Sequence, residues 1–306
     1  MLRTRVLITG ANGLLGQALV RRLSSTDDHD VLATARDDAP RFDVPCDYTQ
    51  LDVTTPDAVE TLLTDYDPDV VVNCAAVSDV TECDEDRNRA WAVNARAVRT
   101  LAKQCRSVGA RLIQLSTDFV FNGKRGPYEE DARPDPVNYY GRTKLAGENA
   151  LREFDFLDWA VVRTVLLYGT AKDLSRSNVV LWMIDRLSEG KPLRVVDDQW
   201  RTPTYVRDLA DGIVRLIDRD RTGIYHMSGR EMITIHELAR TVADVLGFDP
   251  SPIEPVSSDY FEDAVDRPPK TGFIILKAET ELGYDPRPLR EGLRTVGKEL
   301  GVSSPS

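Results

Sequence analysis

The chain has 306 residues, 42 % of them hydrophobic, which is enough to build one large α/β domain or two unequal ones. A net charge of −11 repels phosphate backbones and argues against a nucleic-acid partner. No apolar run approaches the ~20 residues of a membrane span, and the run after Met1-Leu2-Arg3-Thr4-Arg5 is too short for a signal peptide. A soluble, cytoplasmic protein without a membrane partner is expected. The four cysteines, Cys46, Cys74, Cys83 and Cys105, show no CxxC pair, so neither a disulfide framework nor a metal site is expected. The charge is unevenly supplied: 34 Asp against 16 Glu, and 31 Arg against 8 Lys. Such an Asp-rich, Lys-poor surface suggests adaptation to salt.

Strands alternate with helices from the start. Val6-Leu7-Ile8-Thr9 is wholly apolar up to its last residue, as expected of a strand buried on both faces of a parallel sheet. A glycine loop, Gly10 to Gly16, leads into a helical stretch through Leu23. Val31 to Ala35 reads as a second strand, and a third precedes Leu51. Thr55-Pro56 marks a helix start, with Thr as cap and Pro at the first position. Val70 to Asn73 is a strand, Arg87 to Ser107 a helix, and Leu112 to Leu115 a strand ending at Ser116. Tyr139 to Glu153 is helical and Trp159 to Val162 a strand. This rhythm predicts a Rossmann-type, doubly wound parallel sheet of the α/β class.

The rhythm then loosens. A helix is expected over Asn178 to Glu189, a short strand over Leu193 to Val196, and a striped helix beginning at Thr204. Thr234-Ile235-His236-Glu237 is a capping box that opens another helix to Leu246. Residues 249–272, rich in Pro, Ser and Asp, read as irregular. The expected division is a dinucleotide-binding domain of residues 1–169 and 204–228, and a smaller, discontinuous C-terminal substrate domain of 170–203 and 229–306.

In Gly10-Ala11-Asn12-Gly13-Leu14-Leu15-Gly16, Gly10 permits the tight turn, Gly13 lets backbone approach a pyrophosphate, and Gly16 lets the helix pack closely on the sheet. An acid at the end of the second strand would hold a ribose 2′-hydroxyl, whereas an arginine can hold a 2′-phosphate. That strand ends Thr34-Ala35-Arg36, with acids only at Asp37 and Asp38, so NADP(H) is favoured and NAD(H) stays open. Asp52 and Val53 follow the third strand and could lie near the adenine; alternatively Asp52 caps the turn before Thr55.

Tyr140 and Lys144 are four apart on a helix and therefore share a face. A cation beneath the phenol would lower its pKa from ~10 toward neutrality and suit it to general acid–base work. Ser116 or Thr117, at a strand end upstream, could hold the same carbonyl oxygen, and Lys144 could also bind the nicotinamide ribose hydroxyls, which places the Tyr140–Lys144 pair at the cofactor as well. A second YxxxK, Tyr168 to Lys172, follows a strand and has Gly169 next to the tyrosine; it reads as a structural loop. His29, His226 and His236 also read as structural.

These residues resemble the extended short-chain dehydrogenase/reductase family, and within it the dTDP-4-dehydrorhamnose reductase group. The resemblance rests on the glycine loop, Asn73-Cys74-Ala75-Ala76, Val93-Asn94, the run from Ser116 to Gly123, the run from Asn138 to Glu148, and Asp198-Gln199 through Pro203-Thr204. It implies Thr117, Tyr140 and Lys144 as the catalytic triad, Ala75 and Ala76 lining the cofactor, and reduction of a 4-keto nucleotide sugar by NADPH or NADH. The chain departs from the group's pattern at Phe119, Leu166 and Ala18, where a tyrosine, a base-stacking aromatic and a cation-binding acid are common. Dehydration is disfavoured because Asp118 is followed by Phe119 rather than Glu. A 4-epimerase and a non-catalytic regulatory subunit are the alternatives on this fold, and a homodimer is an open expectation.

Overall fold

The structure, a computed structural model, describes residues 3–261 and 265–302. Thr4–Thr9 (β1), Leu14–Leu23 (α1), His29–Ala35 (β2), Asp47–Gln50 (β3), Pro56–Tyr66 (α2) and Val70–Asn73 (β4) form the first half of a doubly wound unit. Short helices follow at Val80–Glu85 (α3) and Arg87–Trp91 (α4). A π-helical turn at Ala92–Arg96 leads directly into Ala97–Val108 (α5). Then come Arg111–Thr117 (β5), a 3₁₀ turn at Asp118–Val120, Tyr139–Leu151 (α6) and Trp159–Thr164 (β6). The later elements are Leu167–Tyr168 (β7), Val179–Ser188 (α7), Leu193–Val196 (β8), Trp200–Arg201 (β9), Thr204–Tyr205 (β10), Val206–Asp218 (α8) and Gly223–His226 (β11). Ile233–Thr234 (β12), Ile235–Leu246 (α9), Ile253–Val256 (β13), Leu276–Leu282 (α10) and Leu289–Leu300 (α11) complete the chain.

Seven strands form one parallel sheet in the order β11-β6-β5-β4-β1-β2-β3. The order reverses between β1 and β4, and a ligand crevice opens at the strand C-termini of such a switch point. Val6, Ile8, Val31, Ala33, Val70 and Val72 join one apolar layer, while Leu7, Leu32, Val71 and Leu112 join the other. Alternate residues of one strand thus feed opposite faces, which is why the strands are apolar throughout. Three two-stranded sheets, β7 with β10, β9 with β12, and β8 with β13, build the smaller lobe and its junction.

The differences from the sequence reading have local causes. The helix expected from Arg87 to Ser107 is interrupted at the π-turn. There the Asn94 amide bonds both backbone groups of Val77, at 3.0 and 2.9 Å, and the Thr143 hydroxyl at 3.0 Å. The extra residue in that turn aims the amide inward. Thr204 begins a strand rather than a helix, because its amide and hydroxyl bond the carbonyls of Leu166 and Val165. Within 249–272, expected to be irregular, Ile253–Val256 pairs with β8 and Ser258–Tyr260 is a 3₁₀ turn; residues 262–264 lie outside the described ones. Thr55 is the N-cap of α2, but its side chain makes no capping bond. The capping box of Thr234 and Glu237 is formed in both directions. All four cysteines are free. No helix among the described residues is long and apolar enough to cross a membrane, and no three of their His, Cys, Asp or Glu side chains converge as a metal site.

Candidate active site

The glycine loop leaves β1 at the switch point. Gly10 has φ +67°, and a Cβ there would lie 2.7 Å from the Ala75 amide nitrogen. One on Gly16 would lie 2.3 Å from the Gly10 carbonyl oxygen. Both positions are therefore closed to side chains by backbone alone. Gly13 is exposed, and a Cβ there would meet only the Gly10 oxygen, at 3.3 Å. Gly13 is also the N-cap of α1 and gives it no side-chain cap, so the helix start at Leu14 and Leu15 presents backbone amides. Amides and helix dipole on a side-chain-free ledge fit a pyrophosphate.

Around the loop, the Asn12 amide donates to the Asp37 carboxylate at 2.9 Å and its oxygen accepts the Arg41 amide at 3.0 Å. Arg41 Nε donates to the same carboxylate at 2.8 Å. The Asn12 bond, then Arg41, hold the Asp37 carboxyl below its usual range. Arg36 is exposed beside this cluster, its carbonyl accepting the Gln50 amide and its charge acting on Asp37. Arg41 was missed in the sequence because it lies beyond the strand end, in a loop that folds back on Asn12. Asp52 accepts the Thr54 amide at 2.9 Å and hydroxyl at 2.6 Å, the turn-capping role, and Val53 is buried. Ala75 and exposed Ala76 follow β4 against Gly10, where the Ala75 amide meets Thr9 Oγ1 at 3.4 Å and Asn73 Oδ1 at 3.3 Å.

Thr117 ends β5 and caps the 3₁₀ turn by accepting the Phe119 amide at 3.2 Å. Helix α6 starts at Tyr139 because Asn138 caps it, its Oδ1 accepting the Gly141 amide at 2.8 Å. One turn later the buried Lys144 ammonium donates to the Leu115 carbonyl of β5 at 2.7 Å. α6 thus lies across the end of β5, and the Tyr140 ring packs against that of Phe119 at 5.8 Å between centroids.

The expected lowering of the Tyr140 pKa is not what this site shows. Burial pushes the phenol well above its ordinary value, and Thr117 offsets only part of that. Burial also brings Lys144 down to about 8, with Glu148 pulling the other way. The ammonium is turned to a strand carbonyl, so its charge is spent on β5 rather than beneath the phenol.

Below Lys144 lies a buried ion pair that the sequence reading did not single out. Glu148 accepts Arg163 Nε at 2.9 Å, Nη2 at 2.7 Å, and the Ser116 hydroxyl at 2.5 Å. Arg163 also meets His226 Nε2 at 3.3 Å, and His226 is driven down to about 3 by burial and that cation. An arginine inside the apolar strand Trp159–Thr164 was the signal that a buried carboxylate faces it. The second YxxxK is not on a helix. Tyr168 is a buried strand residue against Tyr205, and the Lys172 amide is held by Gln17 at 3.0 Å. His29 is paired with Asp218 at 3.0 Å.

The family described as RmlD substrate binding domain matches residues 4–302. The chain is 33 % identical to a probable low-salt glycan biosynthesis reductase, Agl14, of Haloferax volcanii, covering 94 % of this chain and 96 % of the relative. It is 36 % identical to methionine adenosyltransferase 2 subunit beta of Mus musculus, over 95 % of this chain and 86 % of that one. The crystal structure of dTDP-4-dehydrorhamnose reductase from Bacillus anthracis, in complex with NADP, superposes with a TM-score of 0.85 at 31 % identity, covering 97 % of this chain and 100 % of that one. Sheet order, glycine ledge and near full-length matches agree: the chain belongs to the RmlD substrate binding domain family, on the extended short-chain dehydrogenase/reductase fold.

Proposed function

We propose that this chain reduces the 4-keto group of a nucleotide-linked 6-deoxy sugar, the dTDP-4-dehydrorhamnose reductase reaction, with NADPH preferred over NADH. The observation that carries the reading is that α6, which bears Tyr140 and Lys144, is bound through Lys144 to β5, which ends at Thr117, on the same C-terminal side of the sheet as the glycine ledge. Residues 1–169 and 204–228 hold the dinucleotide in this reading, and 170–203 and 229–306 the sugar nucleotide. Gly10, Asn12, Gly13, Leu14, Leu15 and Gly16 take the pyrophosphate, and Ala75 and Ala76 flank the far side of the crevice. Arg36 and Arg41, flanking Asp37, favour the 2′-phosphate, while Asp37 itself could receive a 2′-hydroxyl.

A bound nicotinamide supplies a hydride to the carbonyl carbon. Tyr140 gives its phenolic proton to the carbonyl oxygen, which becomes the product hydroxyl, and Thr117 holds that oxygen in place. Lys144, its ammonium bound to the Leu115 carbonyl, holds α6 against β5 so that Tyr140 is presented at the strand end. A phenol kept protonated by burial is suited to be the acid in this direction.

The test is oxidation of NADPH and NADH with a dTDP-4-keto-6-deoxy sugar. Tyr140→Phe is expected to lower kcat by about 10²–10⁴-fold, and the Michaelis constant for NADPH to lie below that for NADH. Turnover with no consumption of added reductant would point to a 4-epimerase instead. The likeness to methionine adenosyltransferase 2 subunit beta supports a second reading, a regulatory subunit on this fold. That reading wins if wild type binds NADPH but reduces no sugar across a keto-sugar panel.

A further inference from the structure

Asp118 directly follows Thr117 and is 3 % exposed. Its carboxylate is shared between the two lobes. Oδ1 accepts the Thr117 hydroxyl at 3.0 Å. Oδ2 accepts the hydroxyl of Thr271, which is wholly buried, and lies 3.8 Å from Nε of Arg201, itself 3 % exposed. Arg201 belongs to β9, and Thr271 to the segment between β13 and α10, both in the smaller lobe. The two are laced together: the Thr271 amide donates to Trp200 O at 3.1 Å, and Arg201 Nη1 to Trp200 O at 2.8 Å. The guanidinium also lies 5.4 Å above the Phe119 ring, which stands at 70° to the Tyr140 ring with centroids 5.8 Å apart.

A threonine hydroxyl has one proton. While Thr117 gives it to Asp118, Thr117 cannot also give it to a substrate oxygen. What decides the competition is how fully the carboxylate's charge is met from its other side. A desolvated carboxylate with fewer donors on Oδ2 draws harder on the hydroxyl at Oδ1. We propose that Asp118, held by Thr271 and Arg201, is a positioning residue through which the seating of the smaller lobe controls whether the Thr117 hydroxyl is free to bind the substrate carbonyl. In this proposal the cluster acts through Thr117. The kinetic part of this inference rests on the reductase reading above, whereas the coupling between the lobes does not.

The experiment is a double-mutant cycle between Thr271→Val and Thr117→Val, read by both kcat and thermal stability, with Thr271→Ser as the conservative control. Thr271→Val is expected to lower kcat about tenfold, with KM for the sugar and Kd for NADPH little changed, because a transition-state contact is lost. Thr271→Ser, which keeps the hydroxyl, restores kcat. In the Thr117→Val background the same Thr271→Val change is expected to move kcat by less than about twofold, and the two stability changes are expected to be non-additive. Wild-type kcat in Thr271→Val, or equal effects of Thr271→Val in both backgrounds, overturns the proposal. If wild type reduces no keto sugar, the reductase reading fails; the stability cycle then decides the coupling alone, and additivity there overturns it.

Discussion

At the scale of single residues, the site is governed by what burial does to charge. Lys144 has lost most of its contact with water and holds its proton with a pKa of about 8 instead of the ordinary 10.5. The unfolded chain therefore binds that proton more tightly than the folded one between those values. The cost of keeping the ammonium buried is present below about pH 8 and is relieved as pH rises toward 10.5, so this group adds stability in that direction. The denaturation midpoint is expected to rise between pH 8 and 10 by more in the wild type than in Lys144→Met, and equal slopes in the two would remove Lys144 from that effect.

At the scale of elements, α6 carries the proposed acid and its lysine, and glycines let it approach its neighbours. A Cβ at Gly147 would sit 2.4 Å from the Asn94 carbonyl oxygen of the π-turn. That oxygen is backbone, fixed by the Asn94 side chain on Val77, so it cannot step aside. Gly147→Ala is expected to destabilise the fold by about 1–3 kcal/mol through overpacking, seen as a lower denaturation midpoint. It should also reduce turnover more than NADPH binding, since α6 carries Tyr140 and Lys144 but not the glycine ledge. An unchanged midpoint would show that the helix can shift freely.

At the scale of the whole molecule, the dominant quantity is the net charge of −11, carried mainly by aspartate. Arginine–carboxylate pairs such as Arg22–Asp211, Arg99–Glu153 and Arg194–Glu254 are spread over exposed positions. Exposed pairs of this kind are individually worth ~0–1 kcal/mol and weaken in salt, whereas screening relieves the repulsion among the excess carboxylates. With the excess all of one sign, relief should win, and the melting temperature is expected to rise as KCl is raised toward molar concentration. A fall over that range would show that the ion pairs matter more than the repulsion.

The sequence by itself determined the parallel sheet, because strands such as Val70–Asn73 are apolar on both faces and only a sheet covered on both sides accepts that pattern. It also determined the glycine ledge, through three glycines set by their spacing from one buried strand, and the Tyr140–Lys144 pair, through helical periodicity. Those are short-range signals. Only the tertiary structure decided that the Lys144 ammonium faces Leu115 rather than the phenol, that Arg41 folds back beside Asn12, and that Arg201 and Thr271 reach Asp118. Each of those contacts joins residues whose separation carries no periodic signal, up to 153 positions for Asp118 and Thr271. Their energies depend on burial, which is settled only once all the elements have packed.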